Sequence, residues 1–257
     1  MTDNTTKAGA LAAVHRTLMA DYNAALDELL SGNTTITVAA ELLGRRTYPM
    51  RAKPFSAVTI GTGVVISTSA ERVPIVERIV DGKTRDYIFT NPVLGQFEQM
   101  VQADNQFVSG PVLRHICSKD HFRAATTSLG VSIEVLEGVD VQSLFVYPGF
   151  SEALSYAPDH PRRDSLAAVA RRGSEVVAIA GANIDSPELW QIGVTVIDSA
   201  QGTGIGRAVV SRLTEAIFDA GVVPYYSTAT TNIASRNLAQ GLGFWPAWTE
   251  IFVTDLG

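Results

Sequence analysis

Apolar residues recur at three- and four-residue steps through Leu11, Val14, Leu18, Tyr22, Leu26 and Leu29. That spacing gathers side chains on one helical face and predicts a helix over residues 8–30, stopped by Ser31-Gly32-Asn33. The β-branched run Ser56–Ser67 (SAVTIGTGVVIS) predicts one strand, with its glycines as bulges. Residues 73–80 and 92–101 read as helices, and 107–116 and 131–136 as strands. Residues 141–163 hold Pro148-Gly149, Pro158 and Pro161 and read as a connection. The rhythm then changes. Strands are predicted over 165–170 and 175–184, joined by a hairpin at Arg171-Arg172-Gly173-Ser174. After a turn at Asp185-Ser186-Pro187, residues 189–196 form a further strand. A helix over 206–220 puts Val209, Leu213, Ala216, Ile217 and Ala220 on one face, and Gly221 caps it. A strand over 224–229, a short helix over 232–240 and a strand over 244–253 complete the chain.

Composition narrows the function classes. A chain of 257 residues, 46% hydrophobic and 18% charged, holds one large or two small domains and is neither disordered nor a coiled coil. A net charge of −6 offers no electrostatic support for nucleic-acid binding, although local main-chain dipoles still admit an anionic cofactor. Cys117 is the only cysteine, so no disulfide forms within the chain, which fits a reducing compartment. The polar Met1–Lys7 segment lacks a signal-peptide pattern, and no run approaches about 18 apolar residues. The expectation is a cytoplasmic protein with no membrane partner.

The chemistry concentrates in Gln201-Gly202-Thr203-Gly204-Ile205-Gly206-Arg207, between an apolar strand and an amphipathic helix. Three glycines let the main chain bend tightly and approach a ligand. Unpaired amides at the helix start and the helix dipole favour an anion such as a pyrophosphate, and Arg207 adds a cation. A Walker loop would need Gly-Lys-Ser/Thr, which is absent, and the dinucleotide fingerprint has a different glycine spacing.

The loop resembles the Gln/Arg-x-x-Gly-x-Gly/Ala motif of GNAT acetyltransferases at Gln201, Gly204 and Gly206. Asn232-x-x-Ser235-Arg236-Asn237-Leu238 followed by Gly243-Phe244 is similar to that family's second signature. The stretches Trp190–Val194, Pro224-Tyr225-Tyr226 and Pro246-Ala247-Trp248 resemble a two-domain bacterial subgroup that includes antibiotic-modifying acetyltransferases. The specific resemblance covers about residues 164–253. It implies an α/β protein with a C-terminal GNAT fold over 141–257, a mixed twisted sheet with flanking helices and a splayed parallel strand pair. It implies that residues 1–140 are an α+β domain, degenerate GNAT-like. It also implies acetyl-CoA as co-substrate, without a metal, and direct attack by the amine of a small molecule, antibiotic-like or a metabolite. Val194, Thr195 and Val196 would line the pantetheine, and a main-chain N–H near Val196 would polarise the thioester carbonyl. Residues 201–207 would hold the pyrophosphate, while Asn232, Ser235 and Arg236 would add contacts. A homodimer stays open.

Two family positions depart from the pattern. Trp190 stands where many members carry a general-base Glu, and Ala239 where many carry a general-acid Tyr. Glu188, Gln191 (by orienting a water), Tyr226 and Glu250 are the substitute candidates. Each also has a plainer reading: Glu188 as a turn carboxylate, Glu250 as an exposed charge, and one of Tyr225 and Tyr226 in the core with the other in the cleft. Asn232 also reads as a helix N-cap, and Arg236 as part of a solvated face. His115, Cys117 and His121 lack an evident fourth ligand and read as a buried thiol beside two surface histidines. The Arg45-Arg46, Arg162-Arg163 and Arg171-Arg172 pairs read as solvated loop charge. The rival to acetyl transfer is a CoA-binding sensor or scaffold without transfer activity; a third reading is transfer of a longer acyl group.

Overall fold

The structure, a computed structural model, describes residues 3–48, 50–127, 130–155 and 159–256. In chain order these form α1 (Lys7–Tyr22), α2 (Leu26–Leu30), β1 (Thr34–Val38), β2 (Phe55–Thr59), β3 (Val64–Thr68), α3 (Val73–Val80), α4 (Arg85–Ile88) and α5 (Asn91–Gln102). Then come β4 (Gln106–Ile116), β5 (Ser132–Glu137), β6 (Asp164–Arg172), β7 (Glu175–Ile184), β8 (Leu189–Val196), α6 (Ile205–Asp219), β9 (Val223–Thr228), α7 (Ile233–Gly241) and β10 (Trp245–Asp255). The chain divides into two compact units. One comprises the segment up to Ala13 with His115–Pro246, the other Val14–Arg114 with the segment from Ala247 onward.

In the unit built mainly from the first half, the strands lie in the order β1-β3-β2-β10-β4. The single strand expected over Ser56–Ser67 is instead a hairpin. β2 and β3 pair antiparallel, with Ala57 opposite Ile66, and Gly61 (φ 103°) lies in the turn between them. The single helix expected over 8–30 is two helices, because Asn23 sits at φ 47°, a left-handed conformation that stops an α-helix. The strand Thr34–Val38 (TTITV) was not expected. It pairs in parallel with β3. The apolar faces of α3 and α5 cover this sheet through Val76, Ile79, Val93 and Phe97, packed on Phe55, Ile66 and Ile251.

In the other unit the order is β9-β8-β7-β6-β5. The predicted hairpin forms here, with Arg172 opposite Glu175 and Gly173 at φ 62° in the tight turn. The α6 face carrying Val209, Leu213 and Ile217 packs on small sheet residues Ala168, Ala180 and Ala182 and on Ile192. Leu144, Phe150 and Leu154 cover Val169 and Ile179 in a second apolar cluster. They come from the stretch read as a connection, which begins as a 3-10 helix over Gly138–Val146. Two sheet glycines make that second layer fit. A Cβ on Gly181 would lie 2.0 Å from the Ala153 carbonyl oxygen, and one on Gly193 would lie 2.1 Å from that of Glu152. Among the described residues no helix is long and apolar enough to cross a membrane.

Candidate active site

β8 has two different neighbours. It pairs antiparallel with β7 from Ile184 opposite Trp190 to Ala178 opposite Val196. With β9 it pairs in parallel only from Leu189 opposite Val223 to Ile192 opposite Tyr226. Beyond that point β8 continues to Val196 and β9 to Thr228 without pairing to each other, so the sheet forks. Main-chain groups in a strand point alternately to the two sides. The Ile197 N–H donates to the Val177 carbonyl on the β7 side. By alternation, the Thr195 N–H also turns toward β7, while those of Val194 and Val196 turn toward the fork. The Val196 carbonyl agrees with this, since Gln201 Nε2 reaches it at 3.3 Å rather than a strand partner doing so. Residues 193–196 are half-buried.

The glycine loop follows directly. Gly202 (φ 72°) and Gly204 (φ 86°, the N-cap of α6) hold conformations that L side chains rarely adopt. A Cβ at either would meet nothing within 4 Å, so the space around this main chain is open. A Cβ on Gly206 would touch Val196 Cγ2 at 3.0 Å, which shows how closely α6 begins against β8. Gln201 and Thr203 brace the turn from within. Gln201 Nε2 donates to Asp198 Oδ1 at 3.0 Å, and Thr203 Oγ1 donates to the Ala200 carbonyl at 2.6 Å. Ile205 is buried and anchors the helix. The exposed Arg207 donates from Nη2 to the Gly241 carbonyl at 2.6 Å, tying the start of α6 to the end of α7.

α7 starts beside the end of β9. Asn232 is its N-cap, its Oδ1 accepting from the Ser235 N–H at 3.1 Å, and it is exposed. Arg236, half-buried rather than on a solvated face, donates from Nη1 to the Thr230 carbonyl at 3.1 Å. The Ser235 side chain lies beside the Tyr226 phenol. The fork, the glycine loop and the first turn of α7 therefore belong to one unit, and Tyr226 links strand to helix at the last paired position.

The four proton-transfer candidates part company. Tyr225 and Tyr226 are both buried, which corrects the expectation that one faces an open cleft. Burial pushes the Tyr226 phenol above its ordinary pKa, partly offset by Ser235, so it stays protonated at neutral pH. Gln191 lies one position before the fork. Its Oε1 accepts from Tyr225 Oη at 2.9 Å and from Arg162 Nη2 at 2.9 Å. Glu188 is half-buried in the turn before β8, four positions or about 13 Å of strand from the last pair of the fork. Glu250 lies in the other unit and is buried, not an exposed charge. It accepts from Arg46 Nη1 and Nη2 (2.9 and 2.6 Å), Arg114 Nε (2.8 Å), Trp248 Nε1 (3.2 Å) and Tyr22 Oη (3.3 Å). Burial pushes its carboxyl up, but the two guanidiniums pull it down further, well below the usual carboxylate range. A carboxylate so saturated is a poor proton acceptor.

Several plainer readings also change. Arg46 and Arg162 are buried, and Arg162 pairs with the fully buried Asp185, so neither is solvated loop charge. Their neighbours on the chain gave no signal of this, because the carboxylates that hold them come from distant segments. His115 is buried, not at the surface, and burial lowers its pKa. Cys117 is buried with its thiol pushed up to about 12, which leaves no nucleophilic thiolate at neutral pH. Thr195 Oγ1 is buried and makes no hydrogen bond within the protein. Among the described residues no group of three or more His, Cys, Asp or Glu side chains is placed to hold a metal ion.

Residues 140–244 match the model of the acetyltransferase (GNAT) family. Among solved structures, the protein is similar to a GCN5-related N-acetyltransferase from Kribbella flavida, at 17% identity and a TM-score of 0.48. That match covers 62% of this chain and spans 63% of the length of the Kribbella protein. A GCN5-related N-acetyltransferase-like protein from Streptococcus suis is similar over 82% of this chain and 88% of its own, at 12% identity and a TM-score of 0.49. A tandem GNAT protein from the clavulanic acid biosynthesis pathway is similar over 62% of this chain and 58% of its own, at 13% identity and a TM-score of 0.46. No curated protein matches the sequence.

Proposed function

We propose, from the premise that residues 140–244 form a GNAT acetyltransferase domain, that this protein moves an acetyl group from acetyl-CoA to the amine of a small molecule. The fork between β8 and β9, opening onto a glycine loop at a helix start, is the observation that carries the reading. Acetyl-CoA would supply a thioester already activated for attack by an amine. The residues present fit it. The open space at Gly202 and Gly204 admits a pyrophosphate against main-chain amides, where the α6 dipole favours negative charge. The N–H groups of Val194 and Val196, turned to the fork, suit hydrogen bonding to the pantetheine and to the developing negative charge of the carbonyl oxygen. Asn232, Ser235 and Arg236 flank the same opening, and Arg207 adds positive charge beside the loop.

For proton transfer the roles fall to Tyr226 and Gln191. Tyr226 holds a proton on its phenol at the fork and can give it to the departing sulfur. Gln191, with Oε1 engaged by Tyr225 and Arg162, can orient a water that relays the amine proton to bulk solvent as the C–N bond forms and the C–S bond breaks. Neither Glu188, too early on the strand, nor Glu250, ion-paired in the other unit, is favoured for this work. A panel of small amines with acetyl-CoA, followed by release of free thiol, tests the proposal. Turnover with at least one small amine is expected, falling about 10²–10⁴-fold in Tyr226→Phe with little change in KM for acetyl-CoA. Acetylation of protein lysines alone would overturn the choice of acceptor, and faster release from longer acyl-CoAs the choice of acyl group. Binding of acetyl-CoA without turnover of any amine would favour a sensor or scaffold, a reading supported by Trp190 and by the buried Ala239 at the family's usual base and acid positions.

A further inference from the structure

A cavity of about 160 Å³ lies wholly within the unit built mainly from the first half of the chain. Its size is that of a pocket known to take one benzene ring. Phe55, Phe252, Met50 and Pro54 give it apolar walls. Its charged lining is uneven, with four arginines (45, 46, 51 and 114) against the two carboxylates Asp21 and Glu250. Both carboxylates are already committed. Asp21 accepts from the Arg46 main-chain N–H at 2.7 Å and from its Nε at 2.5 Å, and Glu250 is held by Arg46 and Arg114 as described above. Arg51 pairs with Asp255. That leaves Arg45. Its Nη1 donates to the Tyr48 carbonyl at 3.0 Å, while its Nε is buried and makes no hydrogen bond. No carboxylate pairs with Arg45 among the described residues.

Ser67 supplies a second, independent sign. Its side chain lines the same cavity, is only 2% exposed, and its Oγ finds no hydrogen-bond partner in the protein. A buried hydroxyl and a buried guanidinium N–H left unpaired are each costly, and groups of this kind in a native fold call for an acceptor. A neutral or cationic guest would leave the excess positive charge uncompensated. We infer that this cavity is a binding site for a ring-sized organic carboxylate, whose oxygens take the Arg45 Nε–H and the Ser67 hydroxyl and whose body rests on Phe55 and Phe252. Nothing in the acetyl-transfer reading requires it.

Calorimetric titration of the full-length protein with benzoate, and separately with the neutral isostere benzamide, tests the site. Benzoate is expected to bind at millimolar concentration or below, and benzamide about tenfold or more weakly. Arg45→Met and Ser67→Ala should each weaken benzoate by about tenfold, the loss expected for one hydrogen bond to a charged group. Thermal unfolding of both variants verifies that they are folded, and Ser67→Ala is small enough to be read alone if Arg45→Met is not. Gly204→Glu, in the glycine loop, should bind benzoate as the wild type does, which separates this site from the CoA site. No binding of benzoate at millimolar concentration, equal binding of benzamide, or binding indifferent to a folded variant would each overturn the inference.

Discussion

Glu250 shows how one residue's role follows from partners that no local pattern reveals. Arg46 and Arg114 stand 204 and 136 positions away from it along the chain. Read along its strand, Glu250 is a charge at an alternating position; in the fold it is a buried anion between two buried cations. Removing its charge takes an anionic partner from two buried guanidiniums at once and leaves Arg46 to Asp21, so Glu250→Gln should destabilise the protein by about 3–5 kcal/mol in urea unfolding. The sign with pH is fixed by the depressed carboxyl. Its stabilising contribution is fully present above the ordinary value of 4.5 and is lost as pH falls toward the depressed one. The wild type should therefore lose stability more steeply than Glu250→Gln below about pH 5. Parallel pH curves for the two proteins would refute the pairing. Cys117 gives a simpler expectation. With its thiol at about 12, it should resist thiol reagents at neutral pH until the protein unfolds, and Cys117→Ala should leave the proposed acetyl transfer unchanged. Rapid labelling of the folded protein would contradict the burial.

At the scale of elements, the glycines decide more than their number suggests. Gly193 lies under the Glu152 carbonyl, with no room for a Cβ. Gly193→Ala must push residues 152–153 off the sheet, costing about 1–3 kcal/mol or more by urea unfolding. A cost near zero would mean that this layer is not seated as described. Asn232→Ala removes a cap worth about 0.5–2 kcal/mol and should also weaken acetyl-CoA binding if the side chain touches the pantetheine. A loss of stability with unchanged affinity would assign Asn232 to capping alone. The stretch from β6 to β10 was legible in the sequence because its signals are local: a Gly173 hairpin, an alternating strand, a glycine loop and an amphipathic helix in succession. The first half was less so. The break at Asn23 interrupts no apolar periodicity, and the hairpin within Ser56–Ser67 hides in a run that is β-branched on both sides of Gly61-Thr62-Gly63. The loop and the second signature marked the candidate CoA site, and the splayed strand pair was expected from the family resemblance alone; the residues at which β8 and β9 part came only from strand register, which is non-local.

At the scale of the whole molecule, the compact units are interleaved along the chain. β5 belongs with β6 and β7, pairing Leu136 with Ala167 and Ile133 with Ala170, although it precedes the long connection to them. A fragment spanning 141–257 would expose the β6 edge and lose Ile133 and Val135 from the α6 core. Such a fragment should show weak near-ultraviolet dichroism and no cooperative unfolding. A cooperatively folded fragment would instead place a folding boundary at 140/141, where the sequence motifs change.

The central claim is that the β8–β9 fork and its glycine loop bind acetyl-CoA, and thermal unfolding with and without that ligand tests it most directly, beside Gly204→Glu. Gly204 borders open space, so the larger side chain puts a carboxylate where the pyrophosphate would lie. At 100 times its Kd, acetyl-CoA should stabilise the wild type by about 2.7 kcal/mol. The account predicts an upward shift for the wild type and none for a folded Gly204→Glu variant. A well-folded wild type that does not shift with any acyl-CoA would contradict it.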